Sequence, residues 1–282
     1  MIVKKSESEK PDKELFPGRS LSIDIQKFPA IVCLMKRLIA VTLGAISLPG
    51  LQSCGVRESP PEASFRLSPT AWLAETLARR DPSPSQPNAG QAPILLIHGI
   101  DGSGRDMARL ARALRATGRT VHLIDLVPND GSATIEALSG QLEAFVTARL
   151  PATAPFDIAA YSMGGIVARH YLQERGGHTR VRRFVSISSP HHGTLVAWLR
   201  RKTGARQMRV GSEFLEQLAD PESLARLPPT TSFQTVTDLV IVPFTSSTLP
   251  GARNIRLFGW GHFTGIIQRH ALLRIVDECN RP

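Results

Sequence analysis

The sequence predicts an α/β fold built on a doubly wound, mostly parallel sheet. Three observations carry this. From Ala92 onward, short apolar runs alternate with stretches of helical periodicity. The runs are continuous, as in Pro93-Ile-Leu-Leu-Ile97, which suits strands covered on both faces. Turns rich in glycine or serine follow the runs, as His98-Gly-Ile-Asp-Gly-Ser-Gly104 and Ser162-Met-Gly-Gly165 do. In a sheet of this kind, active sites lie at the carboxyl ends of the strands.

The 282 residues are 42% hydrophobic and 21% charged, enough for one large α/β domain and an extension. Net charge is +10, of which about +7 lies from Gly55 onward. There arginine supplies nearly all the cations, Lys202 being the only lysine. The arginines are spread over helices without interleaved aromatics, so they read as solvated faces, and no nucleic-acid motif is present. Cys33, Cys54 and Cys279 form no metal-type pair and imply no disulfide framework. Oligomeric state stays open.

Residues 1–34 carry no clear element and read as a non-native or disordered extension. Residues 35–54 read as a signal peptide: Met35-Lys-Arg, an uncharged apolar run from Leu38 to Leu48, then Leu51-Gln-Ser-Cys54. That ending resembles a bacterial lipobox, which makes Cys54 the expected lipidation site and tethers the mature chain to a membrane outside the cytoplasm. A non-cleaved signal anchor, or a plain signal peptide leaving a periplasmic or secreted protein, is the other reading. Residues 55–91 form a Pro/Ser-rich linker with one short helix, Thr70 to Arg79, capped by Ser68-Pro69 and burying Trp72, Leu73 and Leu77.

Residues 92–282 form the predicted catalytic domain. After the Pro93–Ile97 strand comes a helix with Met107, Leu110, Ala111 and Leu114 on one face. Val121–Ile124 is the next strand. Ser132 is placed to cap a helix presenting Ile135, Leu138, Leu142, Phe145 and Val146. Ile158-Ala-Ala160 is a buried strand, Ile166–Gln173 a helix and Arg183–Ser188 a strand. Leu239–Val242 and Ile255–Phe258 are the last strands, and one helix from Thr264 to Glu278 closes the domain.

The chemistry centres on Phe156-Asp-Ile-Ala-Ala-Tyr-Ser-Met-Gly-Gly165, where Ser162 stands between a strand and a helix. A sharp turn there needs small residues two before and two after the serine, here Ala160 and Gly164. The following helix aims its first N–H groups at a developing oxyanion. The base should be a histidine held by a carboxylate, in the chain order serine, acid, histidine. Asp238 is the only carboxylate between Glu222 and Asp277. Of the two histidines after it, His270 lies mid-helix beside Arg269, which would oppose an imidazolium; His262 lies in a glycine-flanked loop and is the better base. The oxyanion donors are expected to be the backbone N–H groups of Ile100 and Met163. Gly99-Ile-Asp-Gly-Ser-Gly104 has P-loop-like glycines but lacks the lysine and hydroxyl that such a loop needs.

Taken as a set, His98–Gly102, Ala160–Gly165, Ser189-Pro-His-His-Gly-Thr194 and Asp238 through His262 resemble bacterial lipases and esterases of the α/β-hydrolase superfamily. The Ala-x-Ser-Met-Gly-Gly turn is especially similar to the compact Bacillus-type lipases. The resemblance implies a Ser162–Asp238–His262 triad acting on lipid or small ester substrates through an acyl-enzyme, with no cofactor or metal. One departure stands out: about 40 residues separate Thr194 from Asp238, where the compact lipases are nearly lidless. They form either a partial cap over an acyl pocket or helices on the domain edge. An amidase, thioesterase or acyltransferase could use the same triad, and an inactive scaffold used for binding is a further class.

Overall fold

The computed structural model describes residues 91–281. The expected extension, signal peptide, Cys54 and linker helix lie outside those residues. Six parallel strands form one sheet: β1 (Ile94–Ile97), β2 (Val121–Ile124), β3 (Phe156–Tyr161), β4 (Val181–Ile187), β5 (Thr230–Thr235) and β6 (Arg253–Leu257). Their spatial order is β2-β1-β3-β4-β5-β6, and every neighbouring pair is parallel.

The helices cover both faces, as the continuous apolar strands require. On one face α2 (Ile135–Arg149) and α3 (Met163–Glu174) pack against Leu95, Ile97, Ile158 and Ala160. On the other, α1 (Ala108–Ala116) and α8 (Arg269–Cys279) pack against Ile94, Leu96, Ala159 and Tyr161. Successive residues of β3 thus enter opposite cores, the period of two expected of a strand. The strand order reverses between β1 and β3, so the loops leaving their carboxyl ends diverge and open a crevice. The register Ile97↔Ala160 sets His98-Gly99 beside Tyr161-Ser162 at that point.

Between β4 and β5 run a 3-10 turn (Leu195–Leu199), α4 (Thr203–Gln207), α5 (Glu213–Leu218) and α6 (Pro221–Leu224). This segment divides in two. Residues near Val196 to Met208 line a cavity, whereas Phe214, Leu215 and Leu218 join the core against α3. Arg169 of α3 fastens the second part. Its guanidinium is 1% exposed and donates to Leu218 O, to His191 O at 3.1 Å and to Gln173 Oε1 at 2.8 Å. Burial lowers its pKa to about 10.

Three local expectations are corrected. Leu239–Val242 is not a strand. The amides of Val240 and Ile241 donate instead to Asp238 Oδ1, both at 2.8 Å, and are lost to any ladder. The fifth strand is the more polar Thr230–Thr235, whose buried hydroxyls find partners: Ser232 donates to Ser247 O at 2.6 Å and Thr231 to Glu278 Oε2 at 3.2 Å. Thr134, not Ser132, caps α2, accepting from Ala137 N–H; Ser132 donates to Asp130. The closing helix is interrupted at Gln268, whose ψ of 129° separates α7 (Thr264–Ile267) from α8.

Candidate active site

Ser162 caps α3 from the end of β3, with φ 53° and ψ −125°. A non-glycine residue in that region carries strain of about 1–3 kcal/mol and persists only where its surroundings impose it. Two features do so. Ser162 N–H donates to Ile187 O at 2.9 Å, continuing the β3–β4 ladder. Gly164 lets α3 press onto the end of β1: a Cβ there would lie 2.4 Å from His98 O and 2.9 Å from Ile97 O. Gly99 serves the facing loop, where a Cβ would lie 2.9 Å from that of Ser162.

His262 Nε2 lies 2.9 Å from Ser162 Oγ, and His262 Nδ1 lies 2.7 Å from Asp238 Oδ2. All three side chains are buried. With Nδ1–H donating to the carboxylate, Nε2 is the lone-pair nitrogen facing the hydroxyl. Asp238 is itself held, since its other oxygen takes the Val240 and Ile241 amides. His262 stacks on Tyr161, with ring centroids 4.9 Å apart, and meets Phe263 edge-on at 5.9 Å. Burial, with Asp238 and Asp106 nearby, pushes the Tyr161 phenol well above its ordinary range, so it stays neutral.

Met163 directly follows Ser162 and Ile100 lines the same cavity as Ser162; the amide of neither donates to a protein group among the described residues. Met163 is the first residue of α3, where N–H groups have no intrahelical acceptor. His98 is a buried strut: its Nε2 accepts from Leu126 N–H at 2.9 Å and its Nδ1 donates to Gly99 O at 2.7 Å, fixing the loop that carries Ile100. His270 points away from the site, its Nε2 on Phe258 O at 2.7 Å. His191 is fully buried against Ser186 Oγ at 2.8 Å, in line with a structural role.

Sequence reasoning missed Thr237. Its hydroxyl donates to Gly259 O and accepts from Gly261 N–H at 3.1 Å, joining the turn that carries Asp238 to the loop that carries His262. A threonine directly before a predicted acid was the available signal, but its partner lies 24 residues away.

Ser162 and His262 open onto a cavity of about 650 Å³, within the range of small-molecule sites. Ile100, Val196, Leu199, Met208 and Ile241 give it an apolar wall. Arg200 bridges its rim by pairing with Asp101, and Lys202 pairs with Asp130 alongside. Among the described residues, no cluster of three or more His, Cys, Asp or Glu side chains could hold a metal ion.

Comparison with known proteins agrees with this architecture. The model of the palmitoyl protein thioesterase family matches residues 93–247, a span that contains Ser162 and Asp238 and stops short of His262. The human protein named lysosomal thioesterase PPT2 is 32% identical over 117 residues, covering 39% of this chain and 38% of that protein. Its Bos taurus counterpart is 31% identical over 139 residues, covering 47% and 44%. The chain thus spans about two fifths of the length of these curated relatives. Among solved structures, mature Bacillus licheniformis lipase BlEst2 has a TM-score of 0.56 at 19% identity, covering 69% of this chain and 94% of that one. Aspergillus fumigatus lipase B has a TM-score of 0.58 at 18% identity, covering 89% and 68%. At such identities the likeness is one of fold, and the fold is that of the α/β-hydrolases. The expected superfamily therefore holds, and the finer match is to thioesterases. Because its family model spans more than half of the 282 residues, this chain belongs to the palmitoyl protein thioesterase family.

Proposed function

We propose that this chain is a serine hydrolase of acyl esters, with long-chain thioesters as the leading substrate class. The observation that carries the reading is the buried relay from Asp238 through His262 to Ser162 at the floor of an apolar cavity. Family membership favours the thioester, and the relatives' name, thioesterase, points the same way. A lipid-like carboxylic ester is the second reading, favoured by the apolar wall of that cavity.

In this reading Ser162 Oγ attacks the acyl carbonyl as its proton passes to His262 Nε2. Asp238 orients the ring and stabilises the imidazolium. The Ile100 and Met163 amides receive the oxyanion, each such donor being typically worth about 3 kcal/mol in the transition state. Collapse of the tetrahedral intermediate expels the thiolate or alkoxide, which takes the proton from His262. Water, deprotonated by His262, then attacks the acyl-enzyme; the carboxylic acid leaves and Ser162 recovers its proton. No step calls on a group beyond these residues and water. The segment around Val196–Met208 acts as a partial cap that shelters the acyl chain.

In the same proposal, export and lipidation at Cys54 put this activity outside the cytoplasm on a membrane. The relatives' name, lysosomal, is in keeping with a compartment outside the cytosol.

The test is turnover of matched palmitoyl thio- and oxygen esters, and of p-nitrophenyl esters from acetate to palmitate, with Ser162→Ala as control. Loss of turnover in that variant supports the serine mechanism, and the thioester-to-ester ratio of kcat/KM identifies the leaving group. Turnover that persists in Ser162→Ala would refute the reading.

A further inference from the structure

Four of the eight large apolar side chains exposed among the described residues follow the carboxyl ends of two neighbouring strands. Leu239, Phe258, Trp260 and Ile267 lie on the connections that leave the carboxyl ends of β5 and β6, flanking Asp238 and His262. Val127 follows β2 at the opposite edge of the sheet, and Trp198 lines a separate hollow with Val210, Arg209 lying over its ring at 4.5 Å. Leu273, on α8, is the remaining comparably exposed large apolar side chain among the described residues. Trp260 is 90% exposed and Phe258 70%, far beyond what a loop needs in order to fold. Scattered exposed apolar residues are ordinary; a group of them on the two connections that carry Asp238 and His262, close in sequence to the cavity-lining Val240 and His262, marks an interaction surface.

The charges beside this patch are mixed, with a small excess of arginine once the ion pairs of Asp101 and Asp130 are set aside. Arg105 follows the oxyanion loop, Arg109 reaches Ile267 O at 3.0 Å, and Arg269 opens α8; all three are exposed. The carboxylates on the neighbouring loops are already engaged. Asp101 and Asp130 pair with Arg200 and Lys202. Asp106 accepts from Ser103 N–H at 2.8 Å and Asp125 from Gly104 N–H at 2.5 Å. Exposed aromatics with adjoining arginines suit the boundary between acyl chains and anionic headgroups. There the rings sit at headgroup level and the guanidinium groups remain hydrated.

We propose that this face docks onto an anionic lipid bilayer, with Phe258, Trp260 and Ile267 at the headgroup boundary and Arg105, Arg109 and Arg269 on its phosphates. Docked so, the cavity mouth opens at the membrane surface, and an acyl chain passes from bilayer to cavity without crossing water. The inference rests on surface chemistry and not on the identity of the scissile bond.

The test uses the full chain and sedimentation with vesicles of phosphatidylcholine, alone or mixed with phosphatidylglycerol. The expected result is partitioning at least about tenfold stronger onto the anionic vesicles. It should fall about tenfold in the double variant Phe258→Ser/Trp260→Ser and in Arg105→Gln/Arg269→Gln, with thermal midpoints unchanged. Should the double variant misfold, Trp260→Phe gives a second readout: bromolipid quenching of tryptophan fluorescence, present in the parent, should shrink. Fluorophosphonate labelling of Ser162 is read separately, so a failure of the proposed chemistry is distinguished from a failure of docking. Equal partitioning of parent and variants overturns the proposal by placing membrane affinity elsewhere in the chain. Absence of any preference for anionic vesicles overturns it too, as does binding of this face to a protein in place of lipid.

Discussion

Asp238 Oδ2 and His262 Nδ1 meet at 2.7 Å although neither residue stands on a strand. Asp238 follows β5 in a turn that its own carboxylate organises, and His262 follows β6 in a loop. The pair fixes the tautomer that turns Nε2 toward Ser162. Asp238→Asn should therefore keep the fold yet lower kcat by about 10³–10⁴-fold, because an amide can present the wrong partner to Nδ1. Ser162→Ala should lose at least as much and also lose fluorophosphonate labelling. Steady-state kinetics on a p-nitrophenyl ester, with circular dichroism as the folding control, checks both.

Thr237 gives a subtler prediction. Its hydroxyl both donates to Gly259 O and accepts from Gly261 N–H. Thr237→Val keeps the shape and removes both bonds, so the His262 loop loses its tether to the acid turn. A displacement well under 1 Å is enough to lower kcat about tenfold or more. Thr237→Ser should restore most of the rate. A purely structural role would instead lower the thermal midpoint with kcat unchanged.

Arg200 and Asp101 join the segment after Thr194 to the loop that carries Ile100, and both are substantially exposed. Exposed pairs contribute at most about 1 kcal/mol to stability. Arg200→Ala should leave the urea midpoint nearly unchanged but raise KM for palmitoyl substrates more than for acetyl ones. High salt should mimic it in the parent. Equal KM changes across chain lengths would argue against a capping role.

His191 predicts a pH dependence of stability. It is fully buried, its Nδ1 has no partner among the described residues, and burial holds its pKa well below the ordinary value, with Arg169 and His192 adding to the shift. A folded pKa below the unfolded one of about 6.5 means the unfolded chain binds the extra proton. The contribution is thus complete above that pH and declines as pH falls toward the folded pKa. Urea midpoints should drop between about pH 7 and pH 5, and His191→Asn should flatten that slope. His170, also shifted down by burial, adds a smaller part in the same sense.

Arg169 is a buried cation whose hydrogen bonds go to two backbone carbonyls and one side-chain amide. Arg169→Met fills similar space but leaves His191 O without that donor, and Leu218 O with only Gln173 Nε2, at 2.9 Å. Each uncompensated buried group costs about 1–3 kcal/mol. The variant should lose about 2 kcal/mol or more in urea unfolding, and the α5–α6 region should show faster amide exchange than the sheet.

Much of this protein can be read locally. The apolar runs at Ile94–Ile97 and Ile158–Ala160 name their own strands because both faces are covered. The small residues around Ser162 name the turn because a Cβ at Gly164 would collide with β1. β5 escaped such reading. Thr230–Thr235 has no apolar run, and its buried hydroxyls are satisfied by Ser247 and Glu278, partners far away in sequence. The apolar Leu239–Val242 drew the strand assignment, while Asp238 was taking its amides.

The sequence by itself determined the sheet class, the serine turn and the order serine, acid, histidine, since each follows from residue type and spacing. Only the tertiary structure decided that Asp238, His262 and Ser162 meet within hydrogen-bonding distance. It also decided that Thr237 joins two loops, and that half of the segment after Thr194 lines a cavity while the rest packs on α3. Those are relations between residues far apart in the chain. No local propensity encodes them, and they are set only when the strands pair in register and the helices close over both faces.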